Sequence, residues 1–324
     1  MRLRGHRELL IDVLEHKVPE RVPFGEVHIA KGFIEKYIGR TYKGVNDEIE
    51  LSLEIGRDLI KPEEFWFGTK WKNKDGKPFS SLKSLKDYAK NMPDGISPEM
   101  KELIKKAREM CYETNLLFMV QLAGVFHYGW SMMGFENFLI SLMVDIGTAQ
   151  EVIDLIVRRN TIYAQELAEL GVEAVLLSDD IAGNDGILVS PEKYREMIKP
   201  AMKKIIDACE DMYIIYHSDG NIDPVLQDLI DLGIDGFQSI EYGRMDLKKT
   251  KEKYRALALF GNIDNTVIHT GTPAEIDRLV KEAVDIGSEG GSYAVCSDNC
   301  IPPFISIRNF EAYVEAVKKY TGTV

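Results

Sequence analysis

Residues 213–221 read YIIYHSDGN, and the rest of the chain is best read outward from them. Tyr213 to Tyr216 favour extended backbone and run straight into His217, with Ser218, Asp219 and Gly220 behind. Side chains at i and i+2 of an extended segment point to the same side. His217 and Asp219 can therefore serve one ion or one substrate. The same design recurs along the chain. EAVLLSDD (173–180) closes on Asp179 and Asp180, DGFQSIEY (235–242) on Glu241, LALFGNID (257–264) on Asn262 and Asp264, and SYAVCSDN (292–299) leads from Cys296 to Cys300.

Strands are expected near residues 21, 58, 116, 174, 213, 236, 257 and 292, each followed by a segment of helical periodicity. Residues 4–16 read as an opening helix, and AQEVIDLIVRRNTIYAQELAEL (149–170) as a long amphipathic one. Ser190 followed by Pro191 reads as a helix start. Eight strand–helix units predict a TIM (β/α)8 barrel, the competing arrangement being an open doubly wound sheet. Strand after strand ending in polar groups favours the barrel, whose chemistry sits at the C-terminal strand ends. The expected organisation is one domain over 1–324, with an N-terminal helical extension. A small hairpin excursion at about 64–84 is signalled by Asp75-Gly76 between extended arms.

Composition narrows the function classes. The 324 residues are 45% apolar and 28% charged, ordinary for a globular protein with a sizeable core. A formal net charge of −12 without a basic block argues against nucleic acid or an anionic membrane as partner. No run of 18 apolar residues and no secretory core are present, so a cytoplasmic location is expected. There Cys111, Cys209, Cys296 and Cys300 read as free thiols or metal ligands. Cys296 lies inside its strand and reads as core.

Four potential metal ligands close strands: His217, Asp219, Glu241 and Cys300. Asp219 and Glu241 are 22 residues apart, one helix-and-strand unit, and Glu241 and Cys300 are 59 apart, about two units. Singly each has an ordinary explanation, since a strand-end histidine is most often just hydrogen-bonded and a cysteine is a small buried hydrophobe. Together their nitrogen, oxygen and sulfur donors suit zinc.

LEHKVPERVPF (14–24), LLSDDIAGNDGILVSPEKYREMIKP (176–200), YHSDGNIDPVLQDLIDLGIDGFQSIEY (216–242), GNIDNTVIHTGTPAEI (261–276) and SDNCIPPFISIRNFEAYVEAV (297–317) resemble the uroporphyrinogen decarboxylase superfamily. The resemblance covers almost the whole chain and implies the TIM barrel independently. It also implies one of two chemistries. Decarboxylases of the superfamily hold tetrapyrrole carboxylates on an N-terminal arginine segment, whereas RVPFGEVHIAKGFIEKYIG (21–39) has no arginine pair. The other branch comprises zinc-dependent methyltransferases that work with corrinoid proteins. His217 matches that branch's histidine and Cys300 its late cysteine, and Glu241 matches the glutamate of the related cobalamin-independent methionine synthases. Asp219 departs from the pattern, standing where the first cysteine is expected. A harder oxygen donor suits polarising an ether oxygen rather than activating a thiol.

The resemblance thus implies a methyltransferase taking a methyl group from a methoxylated small molecule to the Co(I) of a partner corrinoid protein. Zinc and the partner's corrinoid are the implied cofactors, and a homodimer is compatible with the superfamily. The alternatives are a methylcorrinoid:thiol methyltransferase, a decarboxylase, and a barrel that binds a corrinoid or tetrapyrrole without turnover. Asp179 and Asp180 are the candidate catalytic acids, one expected to face the site and the other to anchor backbone, because neighbours on a strand point opposite ways. GVFHYGWSMMGF (124–135) reads as a loop after the third strand, with His127, Tyr128 and Trp130 lining a substrate pocket. Glu26, His28 and Asn262 complete the candidate substrate contacts.

Overall fold

The computed structural model describes residues 4–67, 75–91 and 94–323. The chain divides into two compact units. The first comprises Met1–Phe65, Lys106–Val120 and Asp235–Val324, and the second Trp66–Lys105 and Gln121–Ile234.

In chain order the strands are β1 (Leu59–Ile60), β2 (Trp66–Phe67), β3 (Leu117–Ala123), β4 (Ala174–Ser178), β5 (Ala182–Gly183), β6 (Gly186–Ile187), β7 (Tyr213–His217), β8 (Gly236–Ile240), β9 (Ala258–Ile263) and β10 (Tyr293–Ser297). In the first unit β1 pairs with the start of β3, β8 with β9 and β9 with β10, all in parallel. In the second, β2 pairs with the end of β3 and β4 with β7, again in parallel. Among the strand pairs described, the short β5–β6 ribbon is antiparallel. β4, β8 and β10 are buried at every position, as parallel strands with both faces covered must be.

The expected strand at 21–27 is reduced to isolated parallel bridges, Phe24 to Val295 and Ile29 to Ile301. Pro23 has no N–H to give to a ladder, though its carbonyl accepts from the Val295 amide. Of the expected hairpin, Trp66–Phe67 pairs in parallel with Gln121–Leu122. Residues 68–74 lie outside the described residues.

Helices begin where local chemistry says they should. Ser190 accepts from the Lys193 amide ahead of Pro191, Ser306 caps Ile307–Thr321, and Thr272 with Glu275 closes a reciprocal capping box on Pro273–Gly287. The segment after β3 is a correction. Val125–Met133 is a helix rather than a loop, and its start is supplied by a distant carboxylate described below. Among the described residues no helix is long and apolar enough to cross a membrane.

Candidate metal centre and neighbouring groups

In the second unit, the β4–β7 register sets Ser178 opposite His217. The residues that follow are stitched together: the Asp179 amide donates to the His217 carbonyl at 2.8 Å and the Ile181 amide to Ser218 Oγ at 3.2 Å. Gly220 sits in the left-handed region at φ +79°, and a Cβ there would lie 2.4 Å from the Gly183 carbonyl oxygen. This tight turn holds the segment behind His217 against the end of β4.

Asp179 and Asp180 point apart. Asp179 is fully buried. Its Oδ1 accepts the His127 amide at 2.7 Å, and the Tyr216 hydroxyl lies 3.4 Å from its Oδ2. It thereby caps the helix Val125–Met133, satisfying an amide that would otherwise be an orphan. Gly124 makes the approach possible, because a Cβ there would sit 2.1 Å from Asp179 Cβ. Burial pushes the Asp179 carboxyl up to about 7 against the pull of the His127 amide.

Asp180 faces the other way. Its Oδ2 meets His127 Nδ1 at 2.8 Å and its Oδ1 lies 3.5 Å from His217 Nε2. His217 Nε2 is in turn 3.9 Å from Asp219 Oδ1. Burial opposes charge on Asp180, but the His127 hydrogen bond and the field of His217 outweigh it and hold the carboxyl below its ordinary value. One ligand atom from each of Asp180, His217 and Asp219 falls within 4.8 Å of the others. Zinc bonds of ~2.0–2.2 Å in a tetrahedron place ligand atoms roughly 3.4 Å apart, so nitrogen and oxygen atoms 3.5–3.9 Å apart fit a small divalent cation with little adjustment. Three donors leave room for a fourth ligand. The sequence reading takes Asp180 as a candidate acid; the structure sets its carboxylate within reach of the candidate ligands His217 and Asp219.

His127 also leads away from the carboxylates. Its ring lies 4.5 Å from that of Trp130, which meets Phe135 edge-on at 5.9 Å. Trp130 Nε1 is buried without a hydrogen-bond partner, and Tyr128 is buried beside them.

The other expected residues belong to the first unit. Glu26 is wholly buried and accepts from the Ser297 amide, the Ser297 hydroxyl and the Tyr313 hydroxyl at 2.8–2.9 Å, an occupancy that ties three elements together and leaves little for a substrate. Cys296 is buried against the same carboxylate, as a core position should be. Glu241 pairs with Arg244 at 3.6 Å. Asn262, at φ +71°, directs its amide toward the Ile240 carbonyl at 3.5 Å, and Asp264 caps the helix Asn265–Thr270. Cys300 is half-buried, and its carbonyl accepts from Asn265 at 3.0 Å.

Two groups escaped the sequence reading. Asp298 follows β10 and burial pushes its carboxyl up to about 7. Lys61 follows β1 and is only 3% exposed. Burial draws its ammonium down to about 8 while Glu48, Glu63 and Cys300 pull the other way. The sequence signal was a lysine closing the apolar strand in DLIKP.

Strands alternating with helices, and a donor cluster where two of the parallel strands end, define an α/β protein of the TIM-barrel class with a candidate metal centre. The chain belongs to the uroporphyrinogen decarboxylase (URO-D) family, which matches residues 66–320. It is 25% identical over 171 residues to the methylcobamide:CoM methyltransferase MtaA of Methanosarcina barkeri, covering 53% of this chain and 49% of that protein. It is 31% identical over 128 residues to the uroporphyrinogen decarboxylase of Thermodesulfovibrio yellowstonii, covering 40% and 35%. The chain thus aligns with half or less of the length of these curated relatives. A solved methyltransferase from Methanosarcina mazei shares the fold with a TM-score of 0.72 at 19% identity, covering 98% of this chain and 99% of that one. A B12-independent methionine synthase from Shewanella sp. W3-18-1 follows at 0.56 and 12%, covering 93% and 97%.

Proposed function

We propose that this protein is a methyltransferase that takes the methyl group of a methoxylated small molecule to the Co(I) of a partner corrinoid protein, with zinc at His217, Asp219 and Asp180. The observation that carries the reading is the donor set. One imidazole and two carboxylates converge, where two thiolates would suit a thiol acceptor. Zinc when bound supplies a Lewis acid for the departing ether oxygen. The chain's own residues prepare that position. His127 fixes the Asp180 carboxylate by its 2.8 Å contact, as outer partners of ligands do. Asp179 holds the His127 backbone, and the Gly220 turn sets Asp219. The rings of His127, Trp130 and Tyr128 offer an apolar wall for the substrate.

Glu241 and Cys300 remain proposed ligands on the strength of the sequence resemblance. Proton delivery to the leaving oxygen falls less readily to Asp180, whose pKa is held low, and Asp179 acts through His127. The similarity to a methylcobamide:CoM methyltransferase favours a second reading, in which the zinc activates a thiol acceptor. Elemental analysis of the purified protein, followed by assays of methoxylated donors with a reduced corrinoid protein and of methylcobalamin with coenzyme M, separates the two. A metal-free protein inert in both assays would rule out both.

A further inference from the structure

We propose that the outer face of the helix Phe135–Val144, continued by Ile146, is a docking surface for a protein that presents an apolar patch ringed by lysine and arginine. This rests on the reading above, in which the methyl acceptor is a corrinoid held by a partner protein and must come up to the donor cluster.

The helix is apolar on both sides. Its inner side, Phe138, Ser141 and Leu142, is buried. The Phe138 ring lies 6.0 Å from that of Phe126, and so close to Gly129 that a Cβ there would stand 2.2 Å from it. These contacts seat the helix on Val125–Met133, which carries His127 and Trp130. On the outer side Ile140, Met143 and Val144, spaced i, i+3 and i+4, are 58%, 64% and 78% exposed. Phe135 and Ile146 extend them at either end. Among the described residues, five of the eleven exposed large apolar side chains fall between 135 and 146. Such side chains are ordinary singly, whereas a contiguous group marks an interaction surface, and a helix apolar all round is one that becomes covered.

Charge says what covers it. No lysine or arginine occurs from Glu109 to Val157, while Glu136 and Asp145 are exposed within the patch. Lys86 meets Glu151, more than a turn beyond Ile146. A second copy of this chain would set Glu136 and Asp145 against their own images across a two-fold axis, and an anionic membrane would be repelled by them. A partner with a basic rim satisfies both the apolar centre and the acidic edge. Position names that partner. The Phe135 ring lies 5.9 Å from that of Trp130, Trp130 lies 4.5 Å from His127, and His127 is 2.8 Å from Asp180. The patch is therefore continuous with the aromatic wall beside the donor cluster, where a carrier must stand to offer its cobalt.

The test uses the full-length protein and, as probes, the cobalamin-loaded corrinoid-binding proteins of the same organism, titrated by biolayer interferometry. At least one is expected to bind. Ile140→Ser combined with Met143→Ser should weaken it about tenfold, with zinc content and the unfolding midpoint unchanged. Glu136→Lys should weaken it about threefold at low salt, and added salt should shrink that loss. If the double variant fails to fold, Val144→Ser serves, with an expected loss of about threefold. Wild-type affinity in these variants, or no binding of any probe, would overturn the surface. So would wild-type dimers, or binding to phosphatidylcholine vesicles, that the same substitutions abolish, since the patch would then belong to a second copy or to lipid. Transfer from a methoxylated donor to free cob(I)alamin needs no docking and tests the methyl-transfer reading by itself. Normal transfer to free cobalamin with unchanged probe binding in the variants removes the surface and leaves the enzyme. Patch-dependent binding without any transfer leaves the surface and removes that reading.

Discussion

His127 Nδ1 and Asp180 Oδ2 stand 2.8 Å apart, although 53 residues separate them in the chain. The contact orients a carboxylate whose other oxygen faces His217 at 3.5 Å. His127→Phe keeps a ring against Trp130 and removes the hydrogen bond. Zinc affinity should fall about 10- to 100-fold, the usual weight of an outer partner of a metal ligand. Competition with a chromophoric chelator measures it, and an unchanged affinity would detach His127 from the metal.

His217→Ala removes the only nitrogen donor of the group. Zinc content should drop from about one ion per chain to near zero, read by elemental analysis. Cys300→Ser and Glu241→Gln belong beside it. Loss of zinc in either would extend the ligand set as the resemblance implies, and retention in both would leave Asp180, His217 and Asp219 as the protein's share.

Asp179 predicts a pH dependence of stability. Its carboxyl titrates at about 7 folded against an ordinary 3.8, so between those values the folded state binds more protons than the unfolded one. Stability therefore falls as pH rises from about 4 to about 7, the slope being set by that proton difference. Asp298, also raised to about 7, adds in the same direction. Asp179→Asn should flatten the profile, becoming less destabilised relative to wild type at pH 8 than at pH 5 in urea unfolding. A parallel profile would deny the buried carboxyl this role.

Gly220→Ala forces a Cβ into the left-handed region and to within 2.4 Å of the Gly183 carbonyl oxygen. A loss of about 1–3 kcal/mol in chemical denaturation is expected. Zinc affinity should weaken with it, because Asp219 is the adjacent residue. Wild-type stability in the alanine variant would show that the turn relaxes freely.

Much of the candidate site was legible because strands have a period of two. That period set His217 and Asp219 on one side and turned Asp179 away from Asp180. Asp180's place beside His217 was hidden, since it depends on the β4–β7 register and on the ring of His127. Residues 124–135, rich in glycine and lacking a local cap, read as loop; the cap of their helix comes from Asp179, 55 positions beyond Gly124. Lys61 was passed over because a single lysine carries no periodic signal, and its burial is a property of its neighbours.

The amino-acid order alone settled the alternation of apolar strands with amphipathic helices, the polar residue closing each strand, and the family, because these are local patterns written in residue type and spacing. Tertiary structure decided which polar groups share an environment: Asp180 with His217, Asp179 with a helix start, Glu26 with Ser297 and Tyr313. The physical reason is that hydrogen bonding and desolvation act over a few ångströms of space, whatever the distance along the chain.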